Sequence, residues 1–281
     1  MRSAVELGAG TVAYSSSGPA DGRPIVFIHG AFVDGTLWRK VVPGLDDEFR
    51  CIVPDLPLGL HRTPMREDAD LTPPGLAALI AEFLTALELS DATLVGNDTG
   101  GALSQLVVTR HPERVGRLVL TPCDAYENFL PPAFRYLQVL ARIPGGVASV
   151  AASMRIPAVR RSPLAFGWLA KRPIPGEVLA GWTAPIISDR DVRRDARKVL
   201  RGISKRYTLE AATKLRNFEG PTMLAWATED RFFKPAFAER LAADIPGSHL
   251  EWIEDSRTFV SEDQPERLAA LIREFATAQT G

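Results

Sequence analysis

One aspartate in a glycine-rich turn has the residue type and the position best suited to chemistry. The string TLVGNDTGGALSQLVV places Gly96, Asp98, Gly100 and Gly101 between a short apolar run and an amphipathic run. This order predicts a strand, a sharp turn and a helix. In such a turn the glycines let the helix approach the strand, and the strained central residue projects its side chain. The sequence therefore predicts Asp98 at a reactive turn, where a serine nucleophile is more usual.

A second segment, IVFIHGAF, ends another predicted strand and could complete the site. The backbone N–H groups of Ala31 and Thr99 are candidates for an oxyanion hole. Phe32 is a candidate substrate contact. His29 is interpreted either as a substrate contact or as a structural hydrogen-bonding residue of the loop.

Short apolar runs must position these residues. Besides an N-terminal hairpin, such runs occur at 25–28, 51–53, 93–95, 118–120, 222–225 and 250–253, and helical periods separate most of them. This alternation predicts an α/β fold, with a mostly parallel eight-stranded sheet covered by helices on both faces. Between about residues 124 and 217 the alternation stops. Residues 1–123 and 218–281 are therefore predicted to form the core domain, and residues 124–217 an inserted helical cap, or lid. Within the cap, helices are predicted near residues 134–141, 163–171, 175–182 and 189–205.

These motifs carry a resemblance that spans nearly the whole chain. FIHG, PDLPLG, VGNDTGG, LAWATEDRFF and FVSEDQPERLAALIREF resemble the α/β-hydrolase superfamily, within it the branch of haloalkane dehalogenases and epoxide hydrolases, which use an aspartate nucleophile. The resemblance implies the α/β-hydrolase fold and a reactive Asp98. Asp230 is similar in placement to the superfamily's triad acid, although it could instead cap the helix that starts near Pro235.

The resemblance also implies a catalytic histidine before FVSEDQP, where this chain has Thr258. His249 stands at the start of a predicted strand, at the wrong edge of a parallel sheet. His111 ends a helix, and His61 is interpreted as a replacement base, a substrate contact or a solvent-facing loop residue. Loss of the base costs roughly 10³- to 10⁶-fold in related mechanisms, so ordinary turnover is not expected.

Two further positions depart from the dehalogenase pattern. Thr99 stands where the resemblance implies a halide-holding tryptophan, and Ala31 with Phe32 replaces an asparagine or the proline of epoxide hydrolases. Without an imidazole between them, Asp98 and Asp230 could approach as two carboxyls whose pKa values move apart. Asp98 is then expected to act as an acid, a base or an electrostatic anchor, with covalent attack possible and hydrolysis slow.

Aromatic residues of the predicted cap suggest a large apolar or aromatic ligand. They are Tyr126, Phe129, Phe134, Tyr136, Phe166, Trp168, Trp182 and Tyr207. Of these, Tyr126, Phe129, Tyr136, Trp182 and Tyr207 are the candidate substrate contacts, and Tyr136 and Tyr207 could donate a proton to a substrate oxygen. The basic series from Arg193 to Arg206 is interpreted as a solvated helix face.

The amino-acid composition limits the classes of binding partner. The net charge is -1, from 33 basic and 34 acidic residues, which predicts no global attraction to nucleic acid or to a membrane surface. Cys51 and Cys123 lack metal spacing and are interpreted as small buried hydrophobes. Neither a signal peptide nor an apolar run of about 20 residues is recognisable, so a cytoplasmic location is expected. A small-molecule substrate and no metal or organic cofactor are predicted, and the oligomeric state stays open.

Three functions remain as hypotheses. The first is an enzyme that acts on a hydrophobic small molecule by ring opening, cyclisation, elimination or carbon–carbon bond formation. The second is a simple hydrolase of the dehalogenase, epoxide hydrolase or esterase type with an unrecognised base. The third is a ligand-binding protein that kept the pocket and lost the chemistry.

Overall fold

A computed structural model describes residues 1–278 and contains one eight-stranded sheet. The strands are β1 (Arg2–Leu7), β2 (Gly10–Ser17), β3 (Pro24–Ile28), β4 (Arg50–Pro54), β5 (Ala92–Asp98), β6 (Val115–Cys123), β7 (Thr222–Ala227) and β8 (His249–Ile253). Their order in the sheet is β1-β2-β4-β3-β5-β6-β7-β8. Only β2 runs against its neighbours β1 and β4, and all other pairs are parallel. The predicted fold class is confirmed.

Eleven helices accompany the sheet in the described chain. They are α1 (Pro73–Ala86), α2 (Thr99–Arg110), α3 (Arg135–Arg142), α4 (Gly146–Ser153), α5 (Pro157–Arg160), α6 (Gly176–Ser188), α7 (Arg190–Gly202), α8 (Lys205–Lys214), α9 (Pro235–Asp244), α10 (Val260–Asp263) and α11 (Pro265–Thr277). None of the helices within residues 1–278 has the length and apolar character required to cross a bilayer.

The period of two along each strand divides the core between the two faces of the sheet. In β3, Val26 and Ile28 pack on one face with residues of α1, α2 and α9. Ile25 and Phe27 pack on the other face with Trp38 and residues of α11. Because both faces are covered, the central strands are almost continuously apolar, as in parallel sheets generally. Cys51 and Cys123 are buried free thiols, as predicted.

Six helices, α3 to α8, lie between β6 and β7, where the sequence predicts inserted helices. The local details differ. Residues 163–171, predicted as a helix, form successive turns in which the N–H of Gly167 donates to the carbonyl of Ser162. The helix predicted over 189–205 ends at Gly202, which packs against Thr72, and a new helix starts at Lys205. Short helices α4 and α5 have too few turns to produce a recognisable period.

The glycines at the start of α2 allow its close contact with the sheet. A Cβ atom at Gly100 would collide with the carbonyl oxygens of Ile28 and His29, and one at Gly96 would lie 2.7 Å from Cα of Gly101. The carboxyl end of β5 and the amino end of α2 are therefore fixed relative to β3. This fixes the position of Asp98, which joins β5 to α2.

Gly100→Ala is expected to lower the free energy of unfolding by about 2–3 kcal/mol or more, because backbone must move to admit the methyl group. The matched control is Gly181→Ala in α6, where an added Cβ meets nothing within 4 Å. This control should be stabilised by about 0.5–1 kcal/mol, since alanine favours a helix. Urea unfolding followed by circular dichroism measures both changes. Equal effects of the two substitutions would contradict the argument.

Candidate active site

Asp98 is the residue around which the site is built. It ends β5 with φ 55° and ψ −130°, a strained conformation for a residue other than glycine. The Thr99 N–H donates to Asp98 Oδ1 at 2.6 Å, and Thr99 Oγ1 lies 3.3 Å from the same oxygen. The pKa of Asp98 is raised to about 7, chiefly by burial; the two bonds from Thr99 oppose the rise, and the charge of nearby Asp230 adds to it. A carboxyl with this pKa exists in both protonation states near neutral pH.

Asp124 is a second buried carboxyl at this position. It directly follows β6, whose last residue, Cys123, pairs with Asp98. Thr99 Oγ1 lies 3.2 Å from Asp124 Oδ2, so the threonine hydroxyl lies between the two carboxyls. Burial and the charge of Asp98 raise the pKa of Asp124 well above its ordinary value. The raised pKa favours the protonated form of Asp124, and in that form its carboxyl can donate to Thr99 Oγ1 while the threonine hydroxyl donates to Asp98.

Sequence reasoning missed Asp124, which it used only as the first residue of the cap. The signal was present, because an acid directly after an apolar strand lies at the carboxyl edge of the sheet. The sequence around Asp124 does not show that β6 pairs with β5, and this pairing is what places Asp124 beside Asp98.

Asp230 lies in the loop after β7 and serves as a turn cap. Its Oδ1 accepts hydrogen bonds from the N–H groups of Phe232 and Phe233 at 2.7 and 2.6 Å. Burial raises the pKa of Asp230 to about 6, and these bonds oppose the rise. Asp230 therefore caps this turn and also lies near Asp98, so the two roles considered for it from the sequence are compatible.

Thr258 occupies the slot in which the resemblance implies a histidine. Its backbone carbonyl accepts a bond of 2.8 Å from Asn97 Nδ2, next to Asp98 in the chain. The Thr258 hydroxyl lowers the pKa of Asp230, but neither Thr258 Oγ1 nor Asp230 Oδ2 has a hydrogen bond of regular geometry among the described residues. The Thr258 hydroxyl thus lies near Asp230, and each group still has an unused hydrogen-bonding position.

The histidine side chains have other partners. His29 Nε2 accepts from the Leu56 N–H at 2.9 Å, so its Nδ1 carries the proton and donates to the Gly30 carbonyl, also at 2.9 Å. Burial lowers the pKa of His29, which is a neutral structural residue. His61 is buried rather than solvent-facing, and its Nε2 lies 3.2 Å from Asp195 Oδ2 in α7.

The remaining two histidines lie outside the site. His249 begins β8 and its Nε2 lies 2.6 Å from Glu251 Oε1, while His111 follows the last turn of α2. Within residues 1–278, no histidine ring forms a hydrogen bond with Asp98 or Asp230.

An apolar pocket opens onto Asp98. It contains about 760 Å³ of empty space, including its mouth. Core residues Ala31, Phe32, Leu60 and Phe233 line it together with residues of the 124–217 segment. Those of the segment are Leu130, Pro131, Phe134, Tyr136, Leu137, Val150, Met154, Leu164, Ala165, Phe166, Leu169, Thr183 and Ile186. Among the lining residues Asp98 carries the sole carboxyl group.

Tyr136 is the one aromatic among the predicted cap contacts that lines this pocket, where its hydroxyl donates to the Leu164 carbonyl at 2.7 Å. Trp182 lies behind Phe166, and its Nε1 donates to Thr36 Oγ1 at 2.7 Å.

Three other predicted aromatic contacts lie in the core. Tyr126 donates to Asp244 at 2.8 Å, Tyr207 contacts Arg206, and Phe129 packs in the cluster on the α1 and α2 face of the sheet. Like His29, His61 and Trp182, they are absent from the pocket lining, because long-range packing rather than residue type decides which aromatic rings face the cavity.

The predicted oxyanion hole is only partly open. Ala31 lines the pocket, and its N–H donates to no acceptor within the described part of the chain. The Thr99 N–H, in contrast, is bound to the Asp98 carboxyl itself. A substrate oxygen would have to compete with that carboxyl for the second donor.

Comparison with known proteins identifies the family. The profile of the alpha/beta hydrolase family matches residues 25–271. The chain belongs to this family. It is 28% identical over 273 residues to "Haloalkane dehalogenase 2" of Mycobacterium tuberculosis, covering 90% of this chain and 87% of that protein.

Two further relatives extend the comparison. "Cis-3-alkyl-4-alkyloxetan-2-one decarboxylase" of Xanthomonas campestris is 26% identical over 291 residues, covering 94% of this chain and 91% of that protein. The crystal structure of haloalkane dehalogenase DbeA from Bradyrhizobium elkani superposes with a TM-score of 0.81 at 22% identity, over 98% of this chain and 97% of that one. The chain is thus an α/β-hydrolase-fold enzyme related to haloalkane dehalogenases and to a decarboxylase.

Thr99→Val is expected to raise the pKa of Asp98 above about 7, because it removes the hydroxyl that stabilises the carboxylate and keeps the backbone bond. Asp124→Asn should change that pKa little, since an amide replaces a neutral acid and can still donate to Thr99. Infrared titration of the carboxyl band, assigned with Asp98→Asn, measures both. A large fall in the pKa of Asp98 in Asp124→Asn would show instead that Asp124 is ionised.

Proposed function

We propose that this enzyme opens a strained ring in an apolar small molecule by acid–base chemistry at Asp98, without ordinary hydrolysis. The observation that carries this proposal is a single carboxyl with a pKa of about 7 at the base of an apolar pocket, with no histidine hydrogen-bonded to it in the described chain.

The pocket supports an apolar substrate. Its lining is almost wholly aliphatic and aromatic, and Tyr136 and Thr183 already donate their hydroxyl protons to backbone carbonyls. Residues 124–217 act as the lid over Asp98 in this proposal, because most of the lining comes from that segment. Binding would then rest on burial of apolar surface, and Asp98 would meet the one polar group of the substrate.

The arrangement of Asp98, Thr99 and Asp124 supports general acid–base catalysis. Asp98 acts as the anion, which the Thr99 N–H and hydroxyl stabilise, and neutral Asp124 holds the proton behind Thr99. As charge leaves Asp98 during reaction, the Thr99 hydroxyl can turn towards Asp124. Asp98 returns the proton that it took from the substrate to the product as the ring opens, so the carboxylate is regenerated and Asp124 keeps its own proton. Asp230 raises the pKa of Asp98 and so makes it a better base.

The slot at Thr258 argues against ordinary hydrolysis. An ester at Asp98 would need an activated water, and a threonine hydroxyl is not a base near neutral pH. The Xanthomonas relative is named for loss of carbon dioxide from a four-membered cyclic ester, which is not a hydrolysis. An apolar cyclic ester or ether of high ring strain is therefore the substrate class we propose, and the predicted cytoplasmic location is part of the same proposal.

Hydrolytic dehalogenation is the second candidate, favoured by the 28% identity to the Mycobacterium haloalkane dehalogenase. Thr99, Ala31 and Phe32 depart from the dehalogenase pattern at the positions that surround Asp98. This candidate would require Asp230 or Asp124 to activate water directly.

Incubation of the enzyme with dialkyl oxetan-2-ones, epoxides or haloalkanes in ¹⁸O-water distinguishes ring opening from hydrolysis. Conversion of the strained ring should leave no label in Asp98, detected by mass spectrometry of the peptide that contains it. The rate should rise with pH through about 7, because the carboxylate is the active form, and Asp98→Asn should lose on the order of 10³-fold or more. Label in Asp98 after turnover would favour hydrolysis through a covalent ester. Full activity of Asp98→Asn would remove Asp98 from the reaction.

Thr258→His is expected to raise hydrolysis of haloalkanes or activated esters by about 10²-fold or more, because it places a base beside Asp230. Thr258→Gln is the matched control, of similar size but without a titratable ring. Both variants should be shown to fold by thermal unfolding before rates are compared. No gain in a folded Thr258→His variant would mean that this slot does not face the reacting carbon.

A further inference from the structure

The cap segment has an uneven charge. Residues 128–176 contain seven arginines and lysines and no aspartate or glutamate, although the whole chain has a net charge of -1. Lys171 and Arg172 form ion pairs with Glu229 and Asp255. The other five form no ion pair within residues 1–278: Arg135, Arg142, Arg155, Arg160 and Arg161. A local excess of positive charge therefore remains on this segment.

Exposed apolar side chains are concentrated in the same segment. Five of the eight large hydrophobic residues exposed in the described chain lie between residues 139 and 168. They are Val139, Ile143, Ile156, Leu164 and Trp168, each 42% to 57% exposed. We call these five side chains and the five unpaired arginines the cap surface.

Part of the cap surface adjoins the pocket. Val139 and Ile143 follow Tyr136 by three and seven residues, so they continue its stripe along and just beyond α3. The Tyr136 hydroxyl donates to the carbonyl of Leu164. Leu164 both lines the pocket and is exposed, and the half-buried Met154 also lines it. The pocket therefore meets the cap surface at Leu164.

We propose that the cap surface binds an anionic lipid bilayer peripherally, with the pocket mouth facing the lipid. Arginines can keep their guanidinium groups at the headgroups while isoleucine, leucine and tryptophan enter the interface. Unpaired basic residues add attraction to anionic lipids, and no carboxylate in residues 128–176 opposes it. A second copy of the chain fits less well, because a symmetric contact would bring two sets of unpaired arginines together.

Vesicle sedimentation tests the proposal directly. The full chain should bind vesicles of phosphatidylcholine containing a quarter phosphatidylglycerol, and bind vesicles of phosphatidylcholine alone at least about tenfold more weakly. Binding should weaken as salt is added, because the attraction is screened. Asp98→Asn should bind equally well, since the interaction does not depend on chemistry in the pocket.

Matched charge reversals identify the surface. Arg142→Glu, Arg155→Glu and Arg161→Glu together should weaken partitioning on the order of 100-fold, at about 1 kcal/mol for each basic residue. The control reverses Arg2, Arg201 and Arg216, which are exposed and without an ion pair in the described chain but lie outside residues 128–176. This control variant has the same net charge as the test variant, and its partitioning into anionic vesicles should stay within about threefold of that of the unmodified chain.

An apolar variant, Ile143→Ser with Ile156→Ser, should weaken binding by about tenfold or more while leaving the salt dependence intact. Several outcomes would overturn the proposal: no binding to anionic vesicles, equal loss in both charge variants, or unchanged binding of the apolar variant. Dimers in gel filtration that this apolar variant dissociates would assign the surface to a second copy instead.

Discussion

A carboxyl group held inside an apolar cavity by a strained turn is the constraint on which the site depends. The backbone at Asp98 cannot relax, because α2 packs on the carbonyl groups at the end of β3 through Gly100. Its side chain therefore remains where burial disfavours its charge, and its pKa rises to about 7. The surrounding residues adjust that value: Thr99 stabilises the anion, and Asp230 destabilises it.

The result is a site of coupled carboxyls in place of an acid and an imidazole. Two carboxyls that share a hydroxyl cannot both be charged at low cost, so the charge of Asp98 raises the pKa of Asp124 and favours its protonated form. An imidazole could take a proton from water and release it again within one turnover. The Thr99 hydroxyl can only pass on a proton that a carboxyl already holds. This arrangement suits reactions that return the proton to the substrate more than reactions that consume water.

The sequence predicts those parts of the structure that depend on residues close together in the chain. The turn at Asp98, the strands and most helices of the core follow from glycine placement and from apolar periods of two and 3.6 residues. Asp124 could not be assigned without the pairing of β5 with β6. The contact of His61 with Asp195 spans 134 residues, so the local sequence does not show that this loop histidine is buried rather than facing solvent. The aromatic residues of segment 124–217 are equally ambiguous, since the same residue types fill a core or line a cavity.

The net charge of the whole chain conceals the uneven charge of residues 128–176, because a sum over all residues carries no information on their positions. A near-neutral chain is not expected to bind membranes, yet five arginines without an ion pair in the described chain and five of its eight exposed large apolar side chains fall in one segment of 49 residues, 128–176. That segment also supplies most of the pocket lining. A molecule apolar enough to fill such a pocket partitions into lipid rather than water. Attraction of the cap to lipid would then bring the pocket mouth to the phase in which its substrate is concentrated, and transfer would avoid exposing the substrate to water.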